Sequence, residues 1–301
     1  VLHHSWVKFT VLAPEKSQEK LLYFFSNRRI PECRISMLKV SIIMLCLVAG
    51  IFLILMGVVF WVQDRLIFFP EKVPVAYRYP FQQPFKEIYL NTPDGNQIHA
   101  LHFKAKQPKG VMLYFHGNAG SLRSWGYLAE ELLVYGYDVF MPDYRSFGKS
   151  TGKLSPDNLY QDAQLTYDYL RQSFSEEQII IFGRSIGTGV ATKLASDNKP
   201  KQLLLETPFY NFADVAKTHY PYLPVSALLK YTFRSDKWIK KVSCQVYIFH
   251  GTADEVVPFS SGKKLAQLLN NSNNLVVIKG GGHNNLSSFP VYREALARIL
   301  K

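Results

Sequence analysis

The chain has 301 residues, 48% apolar, 19% charged and 14% aromatic, a balance that excludes a disordered or collagen-like protein and admits one sizeable core. Cys33, Cys46 and Cys244 are its three cysteines, too few and too scattered for a disulfide framework, so no bridge is expected. The formal net charge of +12 raises the question of nucleic acid, but the basic residues form no clustered run and no nucleic-acid partner is expected.

The charge is unevenly spread. Residues 1–36 hold six Lys/Arg against three Asp/Glu, and residues 37–63 add only Lys39, which leaves 28 basic against 20 acidic residues over 64–301. An excess of that kind suits an anionic membrane surface. From Val40 to Val62, 23 consecutive residues carry no charge; as a helix they measure about 35 Å, enough to cross a ~30 Å hydrocarbon core. A cleaved signal peptide is the rival reading. Its apolar region is shorter and ends at small residues, whereas this one ends Phe60-Trp61-Val62-Gln63-Asp64-Arg65, so a spanning anchor over 37–63 is expected. Phe60 and Trp61 suit an interfacial aromatic belt, with Phe68 and Phe69 near the same headgroup layer. Arg28, Arg29, Arg34 and Lys39 precede the apolar run and Arg65 and Lys72 follow it, which favours a cytosolic N-terminus and a main domain on the opposite side. Residues 1–36 begin with Val, lack periodicity and stop before Met37-Leu38-Lys39; they read as a tail or as an extension of the native start.

Residues 64–84, with Pro70, Pro74, Pro80 and Pro84, are too broken for a helix interior and read as a connector. The remaining 85–301 read as one domain. It opens with a hairpin, Glu87–Leu90 and Gln97–Phe103, around the turn Thr92-Pro93-Asp94-Gly95. Short apolar runs then follow at 111–115, 138–141, 179–182, 202–205, 246–249 and 275–278, alternating with segments of helical period such as 159–174, 188–195 and 261–269. That rhythm predicts an α/β fold with a mostly parallel central sheet and helices on both faces. Ligands of such sheets bind beyond the carboxyl ends of the strands.

Four of those ends carry chemistry. Gly183-Arg184-Ser185-Ile186-Gly187 matches G-x-S-x-G, the sharp strand-to-helix turn that lifts a serine hydroxyl above a sheet. His116-Gly117-Asn118-Ala119-Gly120 is a small-residue turn whose backbone can approach a substrate oxygen, so the N–H groups of Asn118 and Ile186 are the expected oxyanion donors. His116 itself reads as structural. After the run 246–249 comes His250-Gly251-Thr252-Ala253-Asp254-Glu255, in which Asp254 is the expected partner of a catalytic imidazole; Glu255 and Glu206 are the competing acids. Finally Gly280-Gly281-Gly282-His283 supplies the histidine that completes the order Ser, Asp, His. Neither His3 and His4 nor His99 and His102 look like a metal site, and Gly148-Lys149-Ser150 lacks the upstream glycine of a phosphate loop, having Asp143 there.

At these residues the chain resembles the alpha/beta-hydrolase superfamily, and the anchor together with HGNAG, GRSIG, HGTADEVVP and GGGHNN resembles its membrane-anchored, short-lid serine hydrolases, a branch that includes depalmitoylases and lysophospholipase-like proteins. Asp143-Tyr144-Arg145-Ser146-Phe147-Gly148 resembles the family's D-Y-R-G-Y-G segment, with Ser146 where glycine is usual. The resemblance implies attack by Ser185 with His283 and Asp254, an acyl-enzyme intermediate and no cofactor or metal.

Residues 207–242, rich in aromatic side chains, are the one insertion able to act as a lid. An acyl-binding wall and an amphipathic helix packed on the sheet are both open readings. Tyr144, Phe209 and Tyr210 are the candidate substrate contacts. With the anchor, this favours an acyl ester or thioester, of a lipid or a lipidated protein, over small polar esters. A non-catalytic membrane-tethered scaffold on the same fold, or an aminopeptidase or amidase using the same triad, are the alternatives.

Overall fold

The computed structural model describes the backbone of residues 16–269 and 274–301, with side chains from residue 36 onward. Two compact units divide at Val59 and Phe60. The described part of the first is helical. Helix α1, Lys16–Ile67, begins well before the expected anchor 37–63 and runs four residues into the expected connector, and its stretch Ser36–Ile67 is long and apolar enough to cross a membrane by length and composition. Residues 1–15, part of the expected tail, lie outside the described residues.

The second unit holds an eight-stranded sheet. In chain order its strands are β2 Phe85–Asn91, β3 Gln97–Phe103, β4 Val111–Phe115, β6 Asp138–Pro142, β7 Ile179–Arg184, β8 Gln202–Glu206, β9 Gln245–Gly251 and β10 Leu275–Ile278. In space they run β10-β9-β8-β7-β4-β6-β3-β2. The hairpin β2–β3 and the pair β3–β6 are antiparallel; every other pair is parallel. A separate parallel ladder joins β1, Phe69–Pro70, to β5, Ala119–Gly120.

Alternation along the strands makes two cores. Leu113, Phe115, Ile181, Leu203 and Leu205 face one side, where Leu159 and Ala163 of α4 (Pro156–Arg171) and Val190 and Leu194 of α5 (Gly187–Asp197) cover them. Met112, Tyr114, Ile180, Phe182 and Leu204 face the other, under Leu132 of α3 (Leu128–Leu133) and Tyr292 and Leu296 of α10 (Pro290–Ile299). Strands buried on both faces read as continuous apolar runs because neither set of alternate side chains meets water. Helix α4 starts where Ser155 accepts a hydrogen bond from the Asn158 amide and Pro156 supplies a preset first turn.

The chain leaves β4 toward β6 on one side and returns to β7 on the other, so β4 and β7 flank the point where strand order reverses. Clefts in open α/β sheets form at such a point, and Phe115 of β4 stands level with Gly183 of β7. The loops that follow these two strands therefore meet.

Between β8 and β9 lie α6 (Phe212–His219), α7 (Val225–Leu228) and α8 (Ser235–Trp238). Phe209, Tyr231 and Phe233 in this insertion are wholly buried, packed ring against ring with Phe212, while Tyr220 and Tyr222 are exposed, Tyr222 almost completely at 98%.

Candidate active site

Ser185 sits at φ +52°, in the left-handed region that side chains disfavour. The turn that forces this needs its glycines: a Cβ on Gly187 would run into the Phe115 carbonyl of β4, and one on Gly183 into the Gly187 carbonyl. The Ser185 amide is tied to the Glu206 carbonyl at 2.9 Å. Its side chain is left half-buried at the sheet's edge.

His283 reaches this hydroxyl from the loop after β10, with Nε2 2.9 Å from Ser185 Oγ. Its Nδ1 lies 2.8 Å from Asp254 Oδ2. Asp254 follows β9 and is buried; its Oδ1 accepts the amides of Val256 and Val257 at 2.9 and 2.8 Å. The two loops are stitched together, Ala253 N–H donating to the Gly281 carbonyl and Thr252 N–H to that of Ile278. Burial pushes the Asp254 carboxyl up, but the hydrogen bonds from His250 and His283 and the Val257 amide outweigh it and hold the group well below the ordinary carboxylate range. Asp254 thus carries its charge at neutral pH, facing His283.

The competing acids are elsewhere. Glu206 is engaged by Arg184 at 3.2 Å and by the Tyr292 hydroxyl at 2.7 Å, and Glu255 is exposed. His116 is wholly buried, its Nδ1 2.7 Å from the Gly117 carbonyl and its Nε2 3.3 Å from Asp143 Oδ1, so it braces the loop after β4. Asn118 and Ile186 follow β4 and Ser185 respectively. Among the described residues neither backbone N–H is spent on another group of the protein. Ile186 also caps α5, whose positive end favours negative charge there.

Tyr144, Phe209 and Phe68 lie deeper than expected. Tyr144 is 5% exposed, and its hydroxyl donates to the His116 carbonyl at 2.8 Å; Phe209 is 1% exposed within the aromatic cluster. Both belong to the core, because apolar rings beside a sheet gain more from burial than from lining a wet cleft. Tyr210 is half-buried, its backbone held by Ser261 Oγ and Asp236 N–H. Phe68 is also buried rather than set against headgroups, wedged between Tyr231 and Phe147.

Other residues at the site went unread. His250 Nε2 stands 3.3 Å from Asp254 Oδ2, supporting the acid from below. Trp125 stacks on His116, takes the Arg184 guanidinium on its face at 5.2 Å and donates to the Ala119 carbonyl. No sequence period ties a strand histidine to an acid four positions on, or a tryptophan to a strand end far from it. Among the described residues no group of His, Cys, Asp or Glu converges as a metal site.

A mostly parallel sheet, helices on both faces and a serine on the strained turn after a central strand are the architecture of the alpha/beta hydrolases. The chain belongs to that family: the model of the alpha/beta hydrolase fold matches residues 110–205, and a relative meets it over most of its length. That relative, "Uncharacterized protein Rv2307c" of Mycobacterium tuberculosis, is 31% identical over 262 residues, covering 84% of this chain and 93% of its own. The chain is also 37% identical to the lysophosphatidylserine lipase ABHD12 of Danio rerio over 195 residues, 58% of this chain and 50% of that one; it spans about half of that lipase. Among solved structures the esterase Pf2001 of Pyrococcus furiosus superposes with a TM-score of 0.63 at 18% identity, covering 78% of this chain and 97% of that one.

Proposed function

We propose that the protein is a membrane-anchored serine hydrolase that cleaves acyl esters or thioesters of lipids or lipidated proteins. The observation that carries this reading is the unbroken line from Ser185 Oγ through His283 to the charged, buried Asp254, with contacts of 2.9 and 2.8 Å. His283 Nε2 takes the hydroxyl proton as Ser185 Oγ bonds to the acyl carbon. Asp254 stabilises the resulting imidazolium, and the N–H groups of Asn118 and Ile186 receive the oxyanion. Collapse breaks the bond to the leaving group, which departs with the proton from His283; water, deprotonated by the same imidazole, then releases the acid and restores the serine. No metal or cofactor enters these steps.

The likeness to a lysophosphatidylserine lipase and the apolar helix Ser36–Ile67 support an amphiphilic substrate. The charge bias around that helix supports a single pass with a cytosolic N-terminus; in microsomes the hydrolase unit is then expected to resist added protease, and its digestion would reverse the orientation. The chemistry is tested on full-length protein with a fluorophosphonate probe. One adduct on the wild type and none on Ser185→Ala is expected by intact mass, followed by faster turnover of C16 than of C4 acyl esters. An unlabelled wild type argues for a scaffold, and a sharp preference for C4 argues against a lipid-like substrate.

A further inference from the structure

The C-terminal end of α1 and the residues just after it are hydrogen-bonded to both sides of the site. Gln63, buried at 4% exposure, donates from Nε2 to the Leu228 carbonyl at 2.7 Å and accepts the Lys230 amide at Oε1 at 2.8 Å. These are residues of the insertion between β8 and β9, and a buried carboxamide satisfied on both ends fixes a geometry rather than merely filling space. Four residues on, the Ile67 carbonyl accepts the Asn118 side-chain amide at 2.9 Å. Phe68 is wedged between Tyr231 and Phe147, which holds that carbonyl in place. Phe69 N–H then donates to the Asn118 carbonyl at 2.8 Å and Glu71 N–H to the Gly120 carbonyl at 2.9 Å. Ser121 Oγ closes the series on Glu71 Oε2 at 2.8 Å.

Asn118 is thus held at its side chain and at its carbonyl by one short segment, Ile67–Phe69, while among the described residues its N–H donates to no other group. Fixing two of a residue's polar groups fixes the direction of the third. We infer that Gln63–Glu71 is a positioning element of the active site: it aims the Asn118 N–H at the oxyanion and clamps the neighbouring insertion, so that the end of the apolar helix is part of the catalytic apparatus. The inference rests on the hydrolase reading above, in which that N–H receives the oxyanion. An oxyanion donor acts on the transition state far more than on bound substrate, so misaiming it lowers kcat and spares KM.

The test uses the full-length protein in detergent micelles with a long-chain acyl ester, comparing Asn118→Ala, Asn118→Asp and Gln63→Leu. The two Asn118 variants keep the backbone N–H but lose its tether to Ile67. Their kcat is expected to fall roughly tenfold to a hundredfold, less than outright loss of a donor, with KM within about twofold and Tm within about 2 °C. Gln63→Leu, which frees the helix end from Leu228 and Lys230, is expected to lower kcat in the same sense by roughly threefold to tenfold. Asn118→Ala and Asn118→Asp that both keep wild-type kcat, while Ser185→Ala is inert, overturn the positioning role and leave the hydrolase reading standing. A common fall of kcat and Tm in all three overturns it too, in favour of a purely structural segment. An active Ser185→Ala overturns the hydrolase reading itself, and the role assigned to Asn118 falls with it.

Discussion

Ser185, Asp254 and His283 stand where β7, β9 and β10 leave the sheet, and backbone geometry fixes them: a positive φ, two glycines without room for a Cβ, and loops stitched by their own amides. The insertion 207–242 is built otherwise. Its two ends are held by aromatic side chains packed on one another, and its middle offers Tyr220 and Tyr222 to solvent. A backbone-determined region tolerates almost no change in a few small residues, whereas a region held by side chains tolerates many changes outside its buried rings.

Four measurements press on that contrast. The largest change is expected for Gly187→Ala, where the new Cβ meets the Phe115 carbonyl; overpacking of this kind costs about 1–3 kcal/mol, read by urea denaturation, and probe labelling of Ser185 is lost with it. An unchanged midpoint would mean the elbow yields where it is taken to be rigid. The second uses pH. Because the Asp254 carboxyl is depressed in the folded state from an unfolded value of 3.8, its contribution is present above that value and fades as pH falls through it toward the folded value. Tm is therefore expected to drop more steeply below about pH 4 in the wild type than in Asp254→Asn, and parallel curves would remove Asp254 from the acid response.

Smaller effects should follow at the remaining positions. Ser146 takes φ +70°, a region that glycine reaches without steric cost, and Ser146→Gly is expected to raise stability by about 1 kcal/mol. The Ser146 hydroxyl's bond to the Gly152 carbonyl at 3.1 Å opposes this, and a destabilised variant would show that the bond outweighs the strain. Tyr222→Ser, at a side chain that touches little, should move stability by less than about 0.5 kcal/mol. Turnover of C16 esters presented in vesicles should fall nonetheless, while C4 turnover stays level; a larger stability loss would place Tyr222 in the packed part of the insertion.

What the sequence discloses follows the same division. Strands buried on both faces announce themselves as apolar runs, so the sheet is legible from local pattern, and the glycines around Ser185 and His283 mark backbone that must turn tightly; Asp254 is singled out only by following a strand, and the structure brings it together with His283 and Ser185. Tyr144 and Phe209 fill the core rather than a cleft, a difference the sequence does not carry, because an aromatic residue near a strand end looks the same in either place. The segment Gln63–Glu71 reads in the sequence only as the end of an anchor and the start of a proline-containing connector, although α1 runs on to Ile67. Its partners, Leu228, Asn118 and Gly148, lie far along the sequence, and pairing at such separations leaves no period to read.

The order of the strands also sets a timetable. The hairpin β2–β3 precedes the rest of the sheet in the chain, yet β3 joins that sheet through β6, Phe103 lying opposite Val139 and Ala100 opposite Pro142. Arg145, just beyond β6, then ties the hairpin's turn at Asp94 to Asp162 of α4. On a ribosome the hairpin emerges before β4, but it has no edge to dock on until Asp138–Pro142 has been synthesised, and no lock until α4 follows. The first strands of the sheet to be made must wait for β4, β6 and α4 before they are secured, while β7 to β10 are still to come.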